Sequence, residues 1–287
     1  MILAAALAPY VLVLGIAQDG GYPQAGCERP DCVAARNNPK LRRHVSSLAI
    51  VDPDTKQRWL IDATPDFAEQ WHGAPPDGIL LTHAHIGHYL GLAQLGREVM
   101  GTHGVRVYAM PRMREFLTHN GPWDQLVKLG NIVLEPLEDG REVRLNERIT
   151  VTPILVPHRD EYSETVGFIV HGPSRSIFWL PDIDKWEGTP ASAGGSPAET
   201  GTTIESLLAR VDVAYVDGTF HDASELPGRD LKEIPHPLMI ETMQRLKSQR
   251  AKIRFIHLNQ SNPALRDPSV VEREGFHVAR EGERTRL

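Results

Sequence analysis

The stretch L-L-T-H-A-H-I-G-H-Y, Leu80 to Tyr89, decides the reading of this chain. With Ile79 ahead of it, the run Ile79 to Thr82 is a short buried strand by pattern. His83 then stands at or just past the strand's end. His83 and His85 are alternate residues, so in extended chain both rings point the same way. After a turn at Ile86-Gly87, His88 opens the next helix. A neutral imidazole is a good ligand for zinc, iron or manganese-type ions. Two rings on one face and a third one turn later can hold one metal and begin a second site. Lone histidines such as His72, His103 and His119 carry no such pattern and read as surface or core residues.

Working outward, apolar β-rich runs recur at Tyr10–Leu14, Val45–Val51, Trp59–Ile61 and Val105–Tyr108. They recur again at Ile149–Val156, Thr165–Val170, Ile177–Leu180, Val213–Val216 and Ile253–His257. Helical patterns fall between them at Tyr89–Met100, Pro111–His119, Pro122–Leu129, Thr203–Arg210 and Pro237–Arg250. Proline at Pro111, Pro122 and Pro237 suits a first helical turn. The pattern predicts a layered α/β protein, one domain over residues 1–287, with two halves of similar content that divide near residue 147. Residues 188–202, rich in Gly, Ser and Pro, read as a flexible insertion.

Further ligand types close later strands. V-P-H-R-D places His158 at one strand end, L-P-D-I-D places Asp182 and Asp184 at another, and R-F-I-H-L-N places His257 late in a third. With these, the chain resembles the metallo-β-lactamase-like hydrolase superfamily, whose motif is H-x-H-x-D-H followed by a distant His, an Asp and a final His. The resemblance implies a four-layer α/β/β/α sandwich. It implies His83, His85 and His158 around a first metal, His88 and His257 around a second, and Asp182 bridging them. The departure is Gly87, which stands where the motif has aspartate. Loss of that carboxylate implies a second metal that is weaker, different or absent. Asp184, and Asp217 in Y-V-D-G-T-F, are the candidates to compensate.

A narrower resemblance rests on G-I-A-Q-D-G-G-Y-P-Q-A-G-C, S-S-L-A-I-V-D, L-I-D-A-T-P-D-F, L-P-D-I-D-K-W, V-D-G-T-F, L-P-G-R-D and I-P-H-P. Together these are similar to the coenzyme PQQ biosynthesis protein B branch. Cysteines in this part of that branch look like structural zinc ligands, which gives Cys27 and Cys32 that reading, with His44 as a candidate helper. A pair of buried free thiols is the alternative. His236, in I-P-H-P, either donates a proton to a leaving group or caps the helix at Pro237. Asp19 and Asp66 sit in Gly- or Pro-bearing turns and either support the site from behind or shape the turn.

The totals narrow the function. The 287 residues are 41% hydrophobic and 24% charged, an ordinary globular composition. A formal charge of −6 argues against nucleic acid as partner, because phosphate contacts need a basic face. That acidic balance also counts against a tRNA-processing nuclease. The apolar leader, residues 1–9, is too short to span a bilayer. Tyr10–Leu14 reads as a buried first strand of a cytoplasmic protein, with Ala6-Leu7-Ala8 keeping an exported form open. Two cysteines do not make a disulfide framework.

The leading expectation is a hydrolase holding one or two zinc ions, with Asp182 orienting water and His236 near the substrate. The substrate is a small molecule: an ester, lactone, amide or phosphodiester. Iron or manganese in the same ligands opens a second expectation, oxygen chemistry in PQQ-type cofactor maturation. A non-catalytic metabolite carrier is the third. A homodimer is compatible with the sequence.

Overall fold

A computed structural model describes residues 7–186 and 203–287. Residues 1–6 of the leader and the expected insertion at 188–202 lie outside the described residues. The strands are β1 (Tyr10–Gly15), β2 (Ser47–Asp52), β3 (Gln57–Ile61), β4 (Gly78–Leu80), β5 (Val105–Ala109), β6 (Ile132–Pro136) and β7 (Val143–Arg144). They continue with β8 (Thr150–Leu155), β9 (Val166–His171), β10 (Ser176–Leu180), β11 (Val213–Asp217), β12 (Ile253–Ile256), β13 (His277–Val278) and β14 (Arg284–Arg286).

Alternation along the strands builds the layers. In β2 and β3, Leu48, Ile50, Trp59 and Ile61 face the large core between the sheets, while Ala49 and Leu60 face the other way. Leu80 and Ile79 divide likewise. Both faces are therefore buried, which suits strands with apolar residues in succession. The helices Pro111–His119 and Trp123–Lys128 cover the outer face of the first sheet through Met113, Leu117, Trp123 and Leu126. The helices Ile204–Ala209 and Met239–Arg245 bring Leu207, Leu208 and Met239 to the second. The result is a four-layer α/β/β/α sandwich.

The sheet orders are β14-β1-β2-β3-β4-β5-β6 and β13-β12-β11-β10-β9-β8-β7. Each combines three antiparallel pairings on one side with three parallel pairings on the other. The chain passes from one sheet to the other between Pro136 and Val143, close to the expected division. Among the described residues only β14 crosses back, pairing Arg284–Arg286 with Tyr10–Leu12.

Several local expectations change. The run Tyr89–Met100 is not one α-helix: a short helix at Ile86–Tyr89 passes into 3₁₀ turns over Leu90–Leu95. Gly91, Gly96 and Gly101 weaken a helix here, and Gly91 is pressed against the turn after β3. Its N–H donates to the carbonyl of Ala63 at 2.8 Å. A Cβ on Gly91 would overlap the carbonyl oxygen of Thr64 and lie 2.7 Å from Cβ of Phe67. Gly91→Ala should therefore destabilise the fold by about 1–3 kcal/mol, read from the urea midpoint; an unchanged midpoint would show that the segment can shift freely. The helix expected over Pro237–Arg250 runs only over Met239–Arg245 and gives way to 3₁₀ turns at Lys247–Lys252.

Cys27 and Cys32 also need correction. Their sulfurs are bonded to each other. A disulfide sulfur offers no thiolate to a metal, so the pair is neither a zinc ligand set nor two free thiols. His44 is turned away to Glu281, with Nδ1 3.4 Å from Oε2.

Candidate metal centre

Strand ends from both sheets meet at one edge of the sandwich. His83, His85 and His88 follow β4, His158 follows β8, Asp182 follows β10 and His257 follows β12. The chain turns sharply at one of these places and at the neighbouring end of β3. Asp62, just after β3, has φ 64° and His257 has φ 59°. Side chains with a Cβ rarely adopt that region, and such residues gather where a site fixes them.

The atoms form two adjoining groups. In the first, one nitrogen each from His83, His85 and His158 lies within 4.8 Å of the others. His83 Nε2 and His85 Nδ1 are 2.8 Å apart. In the second, His88 Nε2 and His257 Nε2 both face Asp182 Oδ2, at 3.1 and 3.4 Å. Asp182 Oδ1 is turned the other way, 3.6 Å from His158 Nε2. The six residues expected as metal ligands are thus brought together, with Asp182 between the groups. One further carboxylate enters: Asp19 Oδ1 lies 3.3 Å from His88 Nε2 and 3.5 Å from His257 Nε2.

These atoms fit cations. Asp19 Oδ1, His88 Nε2, His158 Nε2, Asp182 Oδ2 and His257 Nε2 are all buried, and none makes a hydrogen bond among the described residues. Buried polar atoms are rarely left without partners. Five of them converging on one small volume, every one a metal-ligand type, is a donor set for divalent ions.

The opposite edge of each imidazole is held. His88 Nδ1 donates to Asp62 Oδ2 at 2.8 Å, and Asp62 also accepts from the backbone N–H of Thr82 at 2.8 Å. His158 Nδ1 donates to Asp184 Oδ1 at 3.0 Å. His257 Nδ1 meets the hydroxyl of Thr219 at 3.0 Å, and His85 Nε2 meets Glu161 Oε2 at 2.9 Å. Such partners fix ring orientation and leave the other nitrogen's lone pair for a metal. They also settle the two compensation candidates. Asp184 serves His158 of the first group, and Asp217 serves His236, so neither reaches the gap left by Gly87. Asp66 is away from the centre, accepting from the N–H of Val45 at 2.8 Å and opening the short helix Phe67–Gln70.

His236 lies against the second group. Its Nδ1 is 2.7 Å from Asp217 Oδ2 and 3.9 Å from Asp182 Oδ1. It stands ahead of the helix that starts at Met239 and is 4% exposed, so it is no surface cap. Burial disfavours its charged form, but Asp217, together with Asp182 and Asp19, raises its pKa. Elsewhere burial, aided by His88, holds His83 well below the usual histidine range, so that ring is neutral. Burial opposes the charge on Asp182 too, yet the fields of His257 and His88 keep its carboxyl well below the carboxylate range.

Sequence reasoning missed Asp62, Thr82, Thr219 and Glu161. Asp62 carried the one available signal, an acidic residue directly after the strand L-I in L-I-D-A-T-P-D-F. The hydroxyl of Thr82, 3.0 Å from His83 Nδ1, the hydroxyl of Thr219 and Glu161 carried none, because their roles depend on which ring lies beside them.

Comparison with known proteins agrees with this geometry. The family model for the beta-lactamase superfamily domain matches residues 57–258. Coenzyme PQQ synthesis protein B of Methylobacterium radiotolerans is 25% identical, with 95% of this chain and 98% of that protein aligned. Among solved structures, Zn²⁺-bound PqqB from Methylobacterium extorquens superposes with TM-score 0.77 at 22% identity, covering 97% of this chain and 100% of that one. A diphosphatase of the PhnP family superposes with TM-score 0.70 at 20% identity, covering 98% of each chain. The chain belongs to the beta-lactamase superfamily and resembles its PqqB branch along nearly its whole length.

Proposed function

We propose that this beta-lactamase superfamily member is a metal-dependent hydrolase that cleaves an ester or phosphodiester bond of a small molecule. The observation that carries the reading is the convergence of five buried, unpartnered metal-ligand atoms beside His236 and Asp217. His83, His85 and His158 would hold one ion, His88 and His257 another, with Asp182 between them. Zinc fits this nitrogen and carboxylate set, and when bound it supplies a Lewis acid and lowers the pKa of water toward about 7.

The chain's own groups then divide the proton work. Asp182, with an oxygen toward each group, orients the attacking water and accepts its proton. His236 delivers a proton to the departing oxygen, with Asp217 holding the ring by Nδ1 so that the other nitrogen faces the bond being cut. A carrier protein has no need of that pair, which favours catalysis over the binding role.

The test is a panel of ester, lactone, amide and phosphodiester substrates, assayed with zinc-loaded and metal-stripped protein. Zinc-dependent turnover of one class is expected, and none on any class would sink the reading. His236→Gln should lower kcat about 100-fold for an alkoxide leaving group. It should matter far less for p-nitrophenolate, which leaves without a proton. Equal loss on both would make His236 a structural residue.

A second reading rests on the full-length likeness to proteins of PQQ synthesis. The same ligands suit ferrous iron and oxygen chemistry in cofactor maturation. Turnover that needs iron and oxygen, and fails with zinc, would select it. The disulfide between Cys27 and Cys32 weighs toward the exported form over the cytoplasmic one, since cytosolic thiols stay reduced.

A further inference from the structure

We propose that Asp19 is the carboxylate ligand of the second metal position, and that residue 87 is glycine because Asp19 occupies its space. The proposal rests on the two-metal reading above. It reverses the expectation that losing the motif aspartate empties or weakens that position: the carboxylate is supplied from another part of the chain.

Four observations carry it. Asp19 Oδ1 sits 3.3 Å from His88 Nε2 and 3.5 Å from His257 Nε2, the two nitrogens of the second group. That oxygen is buried and makes no hydrogen bond, as are and do the two nitrogens it faces. A Cβ on Gly87 would overlap Asp19 Oδ1 and lie 2.7 Å from Asp19 Cα and 2.9 Å from its Cγ. An aspartate at residue 87 and one at residue 19 therefore exclude each other in this backbone.

The loop that carries Asp19 is also pinned to the loop that carries His257. Gln18 N–H donates to the carbonyl of Leu258 at 2.9 Å, Leu258 N–H donates to Ile16 at 2.9 Å, and the Asn259 and Gln18 side chains are hydrogen-bonded. Asp19 thus directly follows a backbone pairing of Ile16–Gln18 with Leu258, the residue after His257. That is what a metal ligand requires, and a turn-shaping aspartate would not need it.

The experiment titrates zinc into chelator-stripped protein against a chromophoric competitor, reading the number of ions and the affinity of the weaker one. Wild type should bind two. Asp19→Asn should keep the first and weaken the second by more than about 100-fold, beyond what loss of a supporting partner costs. Gly87→Ala leaves the Asp19 carboxylate intact but takes its space, and should weaken the second ion in the same way. Asp19→Gly combined with Gly87→Asp should regain at least about tenfold over either single change. Melting of each metal-free variant checks that it is folded, and Gly87→Ala decides the matter if Asp19→Asn is not.

Wild-type affinity for the second ion in both Asp19→Asn and Gly87→Ala would overturn the assignment and leave the two-metal reading standing. A wild type that saturates at one ion would overturn both.

Discussion

Asp182→Ala should bind at most one metal ion and lose hydrolytic activity by about a thousandfold or more. Its two oxygens face different groups, Oδ1 toward His158 and Oδ2 toward His88 and His257. No other described carboxylate lies between them in this way: Asp19 reaches only the second group, and Asp184 approaches His158 from behind. Removing Asp182 takes away the shared anion that lets two cations sit side by side, and the acceptor for the proton of water. Metal-assisted charge stabilisation is worth several kcal/mol, and each about 1.4 kcal/mol is tenfold in rate. Asp182→Asn separates the two roles, since it keeps the shape and removes the charge. It should retain more metal than Asp182→Ala yet be no more active. Elemental analysis beside kcat/KM reads both. Two ions retained in Asp182→Ala with a tenth of the activity would place the chemistry elsewhere.

The history of Gly87 shows how much of this site a sequence discloses. His83, His85, His158, His257 and Asp182 were legible because residue type and strand-end position together imply a shared edge. The missing aspartate was legible as an absence. Its replacement was not, because the nearness of Asp19 to Gly87 arises only when the loop after β1 pairs with the loop after β12. Asp184 and Asp217 are acidic residues at strand ends and so are the candidates the sequence offers, but both brace histidines. The disulfide escaped for a related reason: C-x₄-C spacing is compatible with a metal, a bond or neither. The layered fold was legible from its apolar runs, whereas β7, β13 and β14 are two or three residues each and leave no periodicity to read. The Tyr89–Met100 run has the periodicity of one helix and does not form it, because periodicity does not register what Gly91 packs against.

Chelation of the metal should lower the melting temperature by about 10 °C without unfolding the protein at room temperature. The size follows from linkage. Metal at a thousand times its dissociation constant stabilises the form that binds it by about 4 kcal/mol. For a domain somewhat smaller than this one, each kcal/mol shifts the midpoint by about 2–4 °C. The protein should stay folded because its largest core, with Phe168, Trp179, Tyr215 and Phe255 buried between and behind the sheets, does not pass through the site. The site itself pays the penalty: Asp19, His88, His158, Asp182 and His257 keep buried atoms without a hydrogen bond among the described residues. In the stripped protein His88 is expected to hold a proton, since burial disfavours its charge but Asp62 and Asp182 raise its pKa well above the usual value. That proton partly replaces the ion among the surrounding carboxylates, and metal binding must displace it. The fall should reverse on adding zinc and should be much smaller in Asp182→Ala, where the binding being removed is already impaired. A midpoint unmoved by verified stripping would mean that the donor atoms are satisfied without an ion, and the argument from their convergence would fail.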